Sequence, residues 1–144
     1  MIQIISGFIG GLGFAIVFGV RRRYLPYIAV NAGLSWAVYL LVDSLLGAFA
    51  ANVVSAAFCS LVAAALAPRL RVPKIVLQMP ATVPMIPGGS LYYTMFYLFS
   101  GDGANAGRYL LSTAKAIFGM AVGFAIVSVC LQTMEERRGE RAAV

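Results

Sequence analysis

Apolar residues fall in five long runs along this chain, separated by short clusters of charge, glycine and proline. The runs extend from about Ile2 to Val20, Tyr27 to Val42, Ala48 to Ala67, Ile75 to Phe99 and Ser112 to Leu131. About 20 mostly apolar residues suffice for a helix to cross the hydrocarbon core of a bilayer. The pattern therefore predicts an all-α integral membrane protein of about five transmembrane helices, a single transmembrane domain over residues 1–134 followed by a charged cytoplasmic tail over 135–144. The punctuation agrees with these limits. Pro26 suits a first helical turn, Asp43 closes the second run, Gly47 introduces the third, Pro68 ends it, and the polar, glycine-rich stretch Gly101 to Gly107 reads as a loop. The first run has no basic segment before it, and Arg21, Arg22 and Arg23 follow it instead, so it is read as a retained helix and not a cleaved signal.

Composition strengthens this picture. Of 144 residues, 61% are hydrophobic and 11% charged, and the mean hydropathy is +0.89, outside the range of ordinary soluble domains. The net charge of +6 is explained by where the cations stand. Three Lys or Arg occupy each of the first, third and last connections (Arg21 to Arg23; Arg69, Arg71 and Lys74; Arg137, Arg138 and Arg141), against Arg108 and Lys115 on the other side. That alternation fits the positive-inside rule with the N-terminus out and the C-terminus in. It calls for no nucleic acid, and the bilayer itself is the main partner.

The fourth run is the irregular one. Pro80, Pro84, Pro87, Gly88 and Gly89 lie within ten residues, and each interior proline removes a backbone hydrogen bond and collides with the preceding turn. The fourth helix must break near mid-membrane. Unwound backbone is tolerated there only where protein buries it or where it lines a polar cavity. A half-helix starting near Gly88 would point free N–H groups and a partial positive charge inward, which suits a carboxylate, while carbonyls freed near Val83 would suit a cation. Ser90, Tyr93, Thr94 and Tyr97 share one face of that half-helix, and Asn31, Ser35, Tyr39 and Asp43 recur every four residues on the second span. Both stripes are candidate linings of a solute path. The plainer reading is a proline-kinked helix whose hydroxyls satisfy the freed carbonyls.

Among the ionisable groups, Asp43 and Lys115 stand nearest the membrane and are candidates for ion coupling or solute attraction. Gly7 with Gly11, and Gly119 with Gly123, form GxxxG pairs whose ordinary role is close helix packing. Cys59 and Cys130 lie in apolar runs, with no CxxC and no histidine to complete a metal site, so neither a metal nor another cofactor is expected. No nucleophile with a base, and no pair of carboxylates, suggests catalysis.

The stretch PKIVLQMPATVPMIPGGSLYYTM, Pro73 to Met95, resembles the characteristic segment of the threonine/serine exporter family, with its VPxxPG-like motif after a basic loop. FGVRRRYLPYIAVNAGLSWAVYLL, Phe18 to Leu41, is similar to the same family. The resemblance is to the small, five-helix half, which in some members is a subunit separate from a larger half. It implies a plasma (inner) membrane exporter of threonine and serine, or in the split form of succinate and related dicarboxylates, acting with a larger partner subunit. Pro84, Pro87 and Gly88 are the motif positions carried over. A chain this small is a thin wall for a path, so a partner or a homo-oligomer is expected. The alternative is a non-transporting scaffold that stabilises or localises a partner, in which the GxxxG pairs matter and the break is only a kink.

Overall fold

A computed structural model describes residues 2–142; the side chains of residues 135 and 137–142 lie outside the description, and with them most of the predicted charged tail. The described chain is all helical: α1 (Ile2–Val17), α2 (Leu25–Leu46), α3 (Ala48–Leu70), α4 (Lys74–Thr82), α5 (Gly88–Phe99) and α6 (Gly103–Ala142). Single 3-10 turns, Arg22–Tyr24 and Val83–Met85, precede α2 and follow α4. Among the described residues, three helical stretches are long and apolar enough to cross a membrane: Arg22–Leu46, Ala48–Leu70 and Gly103–Met134. At about 1.5 Å per residue, the 16-residue α1 reaches only about 24 Å.

The side chains are arranged inside out relative to a soluble protein. Large apolar groups face outward, among them Ile9, Leu45, Leu61, Leu98, Phe99 and Phe118. The buried positions are dominated by small or polar residues: Ala15, Ala32, Ala56, Ala63, Asn31, Ser35, Ser55 and Ser60. Lipid is as apolar as leucine, so helices in a bilayer gain little by hiding leucines from it and associate instead through small residues and interhelical hydrogen bonds. The α3 face built from Asn52, Ser55, Ala56, Cys59, Ser60, Ala63 and Ala67 shows this at three- and four-residue spacing.

α1 packs on α2, α2 on α3 and α3 on α6, while α5 packs chiefly on α6. α4 and the turn after it sit against α1, α2 and α3. Both GxxxG pairs are consumed inside this arrangement. A Cβ on Gly7 would stand 3.1 Å from Trp36 Cβ, and one on Gly11 would collide with Ala32. A Cβ on Gly119 would meet Asn52 Cβ and the Phe49 carbonyl at 2.9 Å, and one on Gly123 would strike the Val53 carbonyl.

Several helix ends differ from the expected ones. α2 continues past Asp43 to Leu46 and stops at Gly47, whose φ of 84° only glycine adopts without penalty. α3 runs through Pro68 to Leu70; so close to the C-terminus, proline removes little of the helix ladder. Its end is closed by Val72 N–H donating to the Ala67 carbonyl at 3.1 Å. α6 begins at Gly103, inside the predicted loop, because Asp102 caps it. The Asn105 backbone N–H donates to Asp102 Oδ1 at 3.1 Å and the Asn105 side chain to Oδ2 at 2.6 Å, and these bonds hold the Asp102 carboxyl below its ordinary pKa.

Candidate functional site

The break in the fourth run is built residue by residue from proline. Pro80 is accommodated inside α4, where Thr82 Oγ1 donates to the Gln78 carbonyl at 2.7 Å. Pro84 falls in the 3-10 turn, and Ile86, preceding Pro87, is extended at φ −63°, ψ 129°, the conformation a following proline favours. Ile86 N–H donates to the Val83 carbonyl at 3.1 Å, so that carbonyl has one partner within the turn. α5 then starts at Gly88, as expected, with no side chain capping it. Gly88 N–H donates back to the Ile86 carbonyl at 2.7 Å and Leu91 N–H to the Pro87 carbonyl at 3.1 Å. The open donors of this first turn are the N–H groups of Gly89 and Ser90.

Those donors adjoin a cavity of about 270 Å³ lined by the break itself, Met85 to Ser90, and by Trp36 and Tyr39 of α2, Ala48 and Asn52 of α3, and Ser112 and Ala116 of α6. A Cβ placed on Gly88 or Gly89 would meet nothing within 4 Å. The two glycines of the motif thus leave room over the helix N-terminus, unlike the packed glycines of α1 and α6. Trp36 stacks on Tyr39 with ring centroids 5.0 Å apart, and its indole N–H is shielded from solvent without a hydrogen-bond partner.

The two polar stripes divide. Of the α5 stripe, Ser90 lines the cavity, whereas Tyr93 and Tyr97 stack on Tyr109 of α6 at 5.2 and 5.6 Å. Thr94 Oγ1 donates to the Ser90 carbonyl at 2.7 Å. Of the α2 stripe, Tyr39 lines the cavity, while Asn31 and Ser35 belong to a separate buried network. Asn31 Nδ2 donates to the Cys59 carbonyl at 3.2 Å and Ser35 Oγ donates to Asn31 Oδ1 at 3.3 Å. Cys59 Sγ lies 3.9 Å from Thr82 Oγ1, and Ser60 Oγ donates to Gln78 Oε1 at 3.5 Å, which ties α2, α3 and α4 together. Asp43 and Lys115 are exposed, and neither lines the cavity.

Sequence reasoning did not single out Trp36, Asn52, Met85 or Ser112. Trp36 is one position after Ser35 and off the four-residue stripe, and Asn52 lies on a span read only as apolar. The available signal was the small and polar periodicity of α3, which marks the face that α2 and α6 share.

Helices with apolar outer faces, three of the described ones long and apolar enough to cross a membrane, mark a multi-pass membrane protein, with a broken helix at a small half-open cavity. A family model described as threonine/serine exporter, ThrE, matches residues 3–130, and the chain belongs to that family. No curated protein and no solved structure matches it. The family is one of transporters.

Proposed function

We propose that the chain is the small subunit of a secondary transporter of the plasma (inner) membrane that exports a small carboxylate-bearing metabolite, threonine and serine or a succinate-like dicarboxylate, together with a larger partner subunit. The reading places five spans across the bilayer, α4 and α5 forming the broken fourth, with the N-terminus out and the C-terminus in. The observation that carries it is the cavity at the break. An uncapped helix N-terminus and two exposed glycines that leave room over it suit the binding of a carboxylate. Pro84 and Pro87 hold the backbone in the broken form; Gly88, Gly89 and Ser90 receive the solute, with Trp36 and Tyr39 opposite. Tyr93 and Thr94 set α5 against α6, and Asn31 and Ser35 brace α2 against α3. Alternating access then arises from rocking of this bundle against its partner. Asp43 and Lys115 serve ion coupling or solute attraction near the mouth of the path.

Trp36 is the only tryptophan, so its fluorescence reports on this cavity. In the purified chain, serine, threonine or succinate should shift the Trp36 emission saturably. In vesicles holding the chain with its larger partner, the same solute should be exported. A complex that forms, moves none of the three and shows no emission change sinks the reading. Export that ignores both the proton gradient and Asp43→Asn removes Asp43 from coupling.

A further inference from the structure

Away from the break, the connection after α1 and the connection after α3 come together. Arg21 of the first and Arg71 of the second line one cavity of about 420 Å³ together with Phe18, Val20, Val72 and Val76. A second cavity, of about 330 Å³, is lined by Phe18, Val20, Ile75, Val76, Met79 and Pro80. Phe18, Val20 and Val76 belong to both, so the two adjoin as a groove with two arginines at its mouth and an apolar trough. On α4 the trough is made by Ile75, Val76, Met79 and Pro80, which the helical period places on one face leading away from the basic end. The groove shares no lining residue with the cavity at the break.

Arg71 is held at this mouth against its backbone preference. It closes α3 at φ 53°, the only described residue other than glycine at positive φ. Glycine is the usual occupant of that position at a helix end, and any side chain there carries a penalty. The penalty places on the cavity that Arg21 lines a second arginine, a charge that glycine could not supply.

We propose that this groove is a binding site for an anionic diacyl phospholipid, the headgroup phosphate held by Arg21 and Arg71 and one acyl chain lying in the trough against α4. Two arginines match a phosphate in charge and in donor geometry. The trough offers no second polar group to the far end of a small dianion, whereas a hydrocarbon chain matches it along its length. Basic pockets between membrane helices are a general form of lipid headgroup site.

Native mass spectrometry of the full chain in a neutral detergent tests this, with phosphatidylglycerol and phosphatidylcholine of identical acyl chains. Phosphatidylglycerol adducts should persist preferentially, and Arg21→Gln or Arg71→Gly should each cut the preference about fivefold. Arg71→Gly relieves the backbone at φ 53°, so it should keep its helicity by circular dichroism while losing lipid preference. Val76→Trp, which fills the trough, should remove adducts of both lipids. Equal retention of the two lipids, or a preference untouched in folded Arg71→Gly and Arg21→Gln, overturns the proposal. So does displacement of phosphatidylglycerol by millimolar inorganic phosphate, which would mark a small-anion site, or a lipid-free dimer as the dominant species, which would make the occupant a second copy of this chain.

Discussion

Gly88→Leu separates a solute cavity from a mere kink. The position is helical and exposed, it lines the half-open cavity of about 270 Å³, and its added Cβ meets nothing within 4 Å. Taking about 30 Å³ as one water's share of liquid volume, the four carbons of a leucine side chain occupy about 100 Å³, over a third of the site. In folding terms the change is mild. Gly→Leu in a helix gains up to about 0.8 kcal/mol from propensity, and no packed neighbour has to move. For a bound carboxylate the change is severe, because the side chain covers the first turn of α5. Losing a favourable helix-terminus interaction of up to about 2 kcal/mol and one hydrogen bond of about 1 kcal/mol weakens apparent affinity about hundredfold. The assay is solute efflux from vesicles containing the chain and the larger subunit proposed as its partner, with co-purification measured in parallel. The expected outcome is normal assembly with efflux lost at solute concentrations that saturate the wild type. Normal assembly with undiminished efflux and an unchanged solute response of Trp36 would refute the argument, because a leucine cannot share that volume with the solute.

Four further outcomes follow from packing and capping. Gly123→Leu should destabilise by about 1–3 kcal/mol or more in mixed-micelle unfolding, since its Cβ alone strikes the Val53 carbonyl and stands 2.9 Å from Ala56 Cβ; unchanged stability would mean that α3 and α6 do not meet there. Asn31→Ala should cost about 0.6–1.7 kcal/mol in the same assay, the range for interhelical hydrogen bonds in membranes, because it removes the bond to the Cys59 carbonyl and the acceptor of Ser35. Tyr109→Ala removes the ring on which Tyr93 and Tyr97 both stack; hydrogen exchange should rise in residues 88–99 and stay unchanged in residues 25–70, and a uniform rise would contradict the packing of α5 chiefly on α6. Asp102→Ala should lower thermal stability at neutral pH. The Asn105 bonds hold that carboxyl below its ordinary pKa, so its contribution is full above the unfolded-state value and fades as pH falls through the folded one; the difference between variant and wild type should vanish in acid.

The broken fourth run was legible because proline acts locally. The spacing of Pro84 and Pro87 forbids a helix through them whatever the surroundings, and the restart at Gly88 follows from the same rule. The helix ends were less legible where a local competitor intervened. Gly103 and Gly107 read as loop, yet Asp102 with Asn105 starts α6, since the cap together with the packing of α6 on α3 and α5 offsets what the glycines cost. Stripes on single helices were harder still. Asn31, Ser35 and Tyr39 lie on one side of α2, but that side meets α3 and α4 near Asn31 and the cavity near Tyr39. Which part of a stripe braces neighbours and which part lines a space depends on where the other helices cross, and no periodicity within α2 encodes that.

The glycines carry the same distinction further. Gly7, Gly11, Gly119 and Gly123 are spent on close contacts within the chain, where even one methyl group would intrude. A scaffold that recruited its partner through GxxxG faces would need those faces free, and in this fold they are already filled by α2 and α3. Gly88 and Gly89 have the same side chain and the opposite surroundings: open space at an uncapped helix start beside the cavity. A kink that served only to bend a helix has no need of a pair of glycines at an uncapped helix start beside a cavity. Open volume beside open donors is accounted for when a polar solute completes the contacts, and for that reason the break is the place where the exporter reading stands or fails.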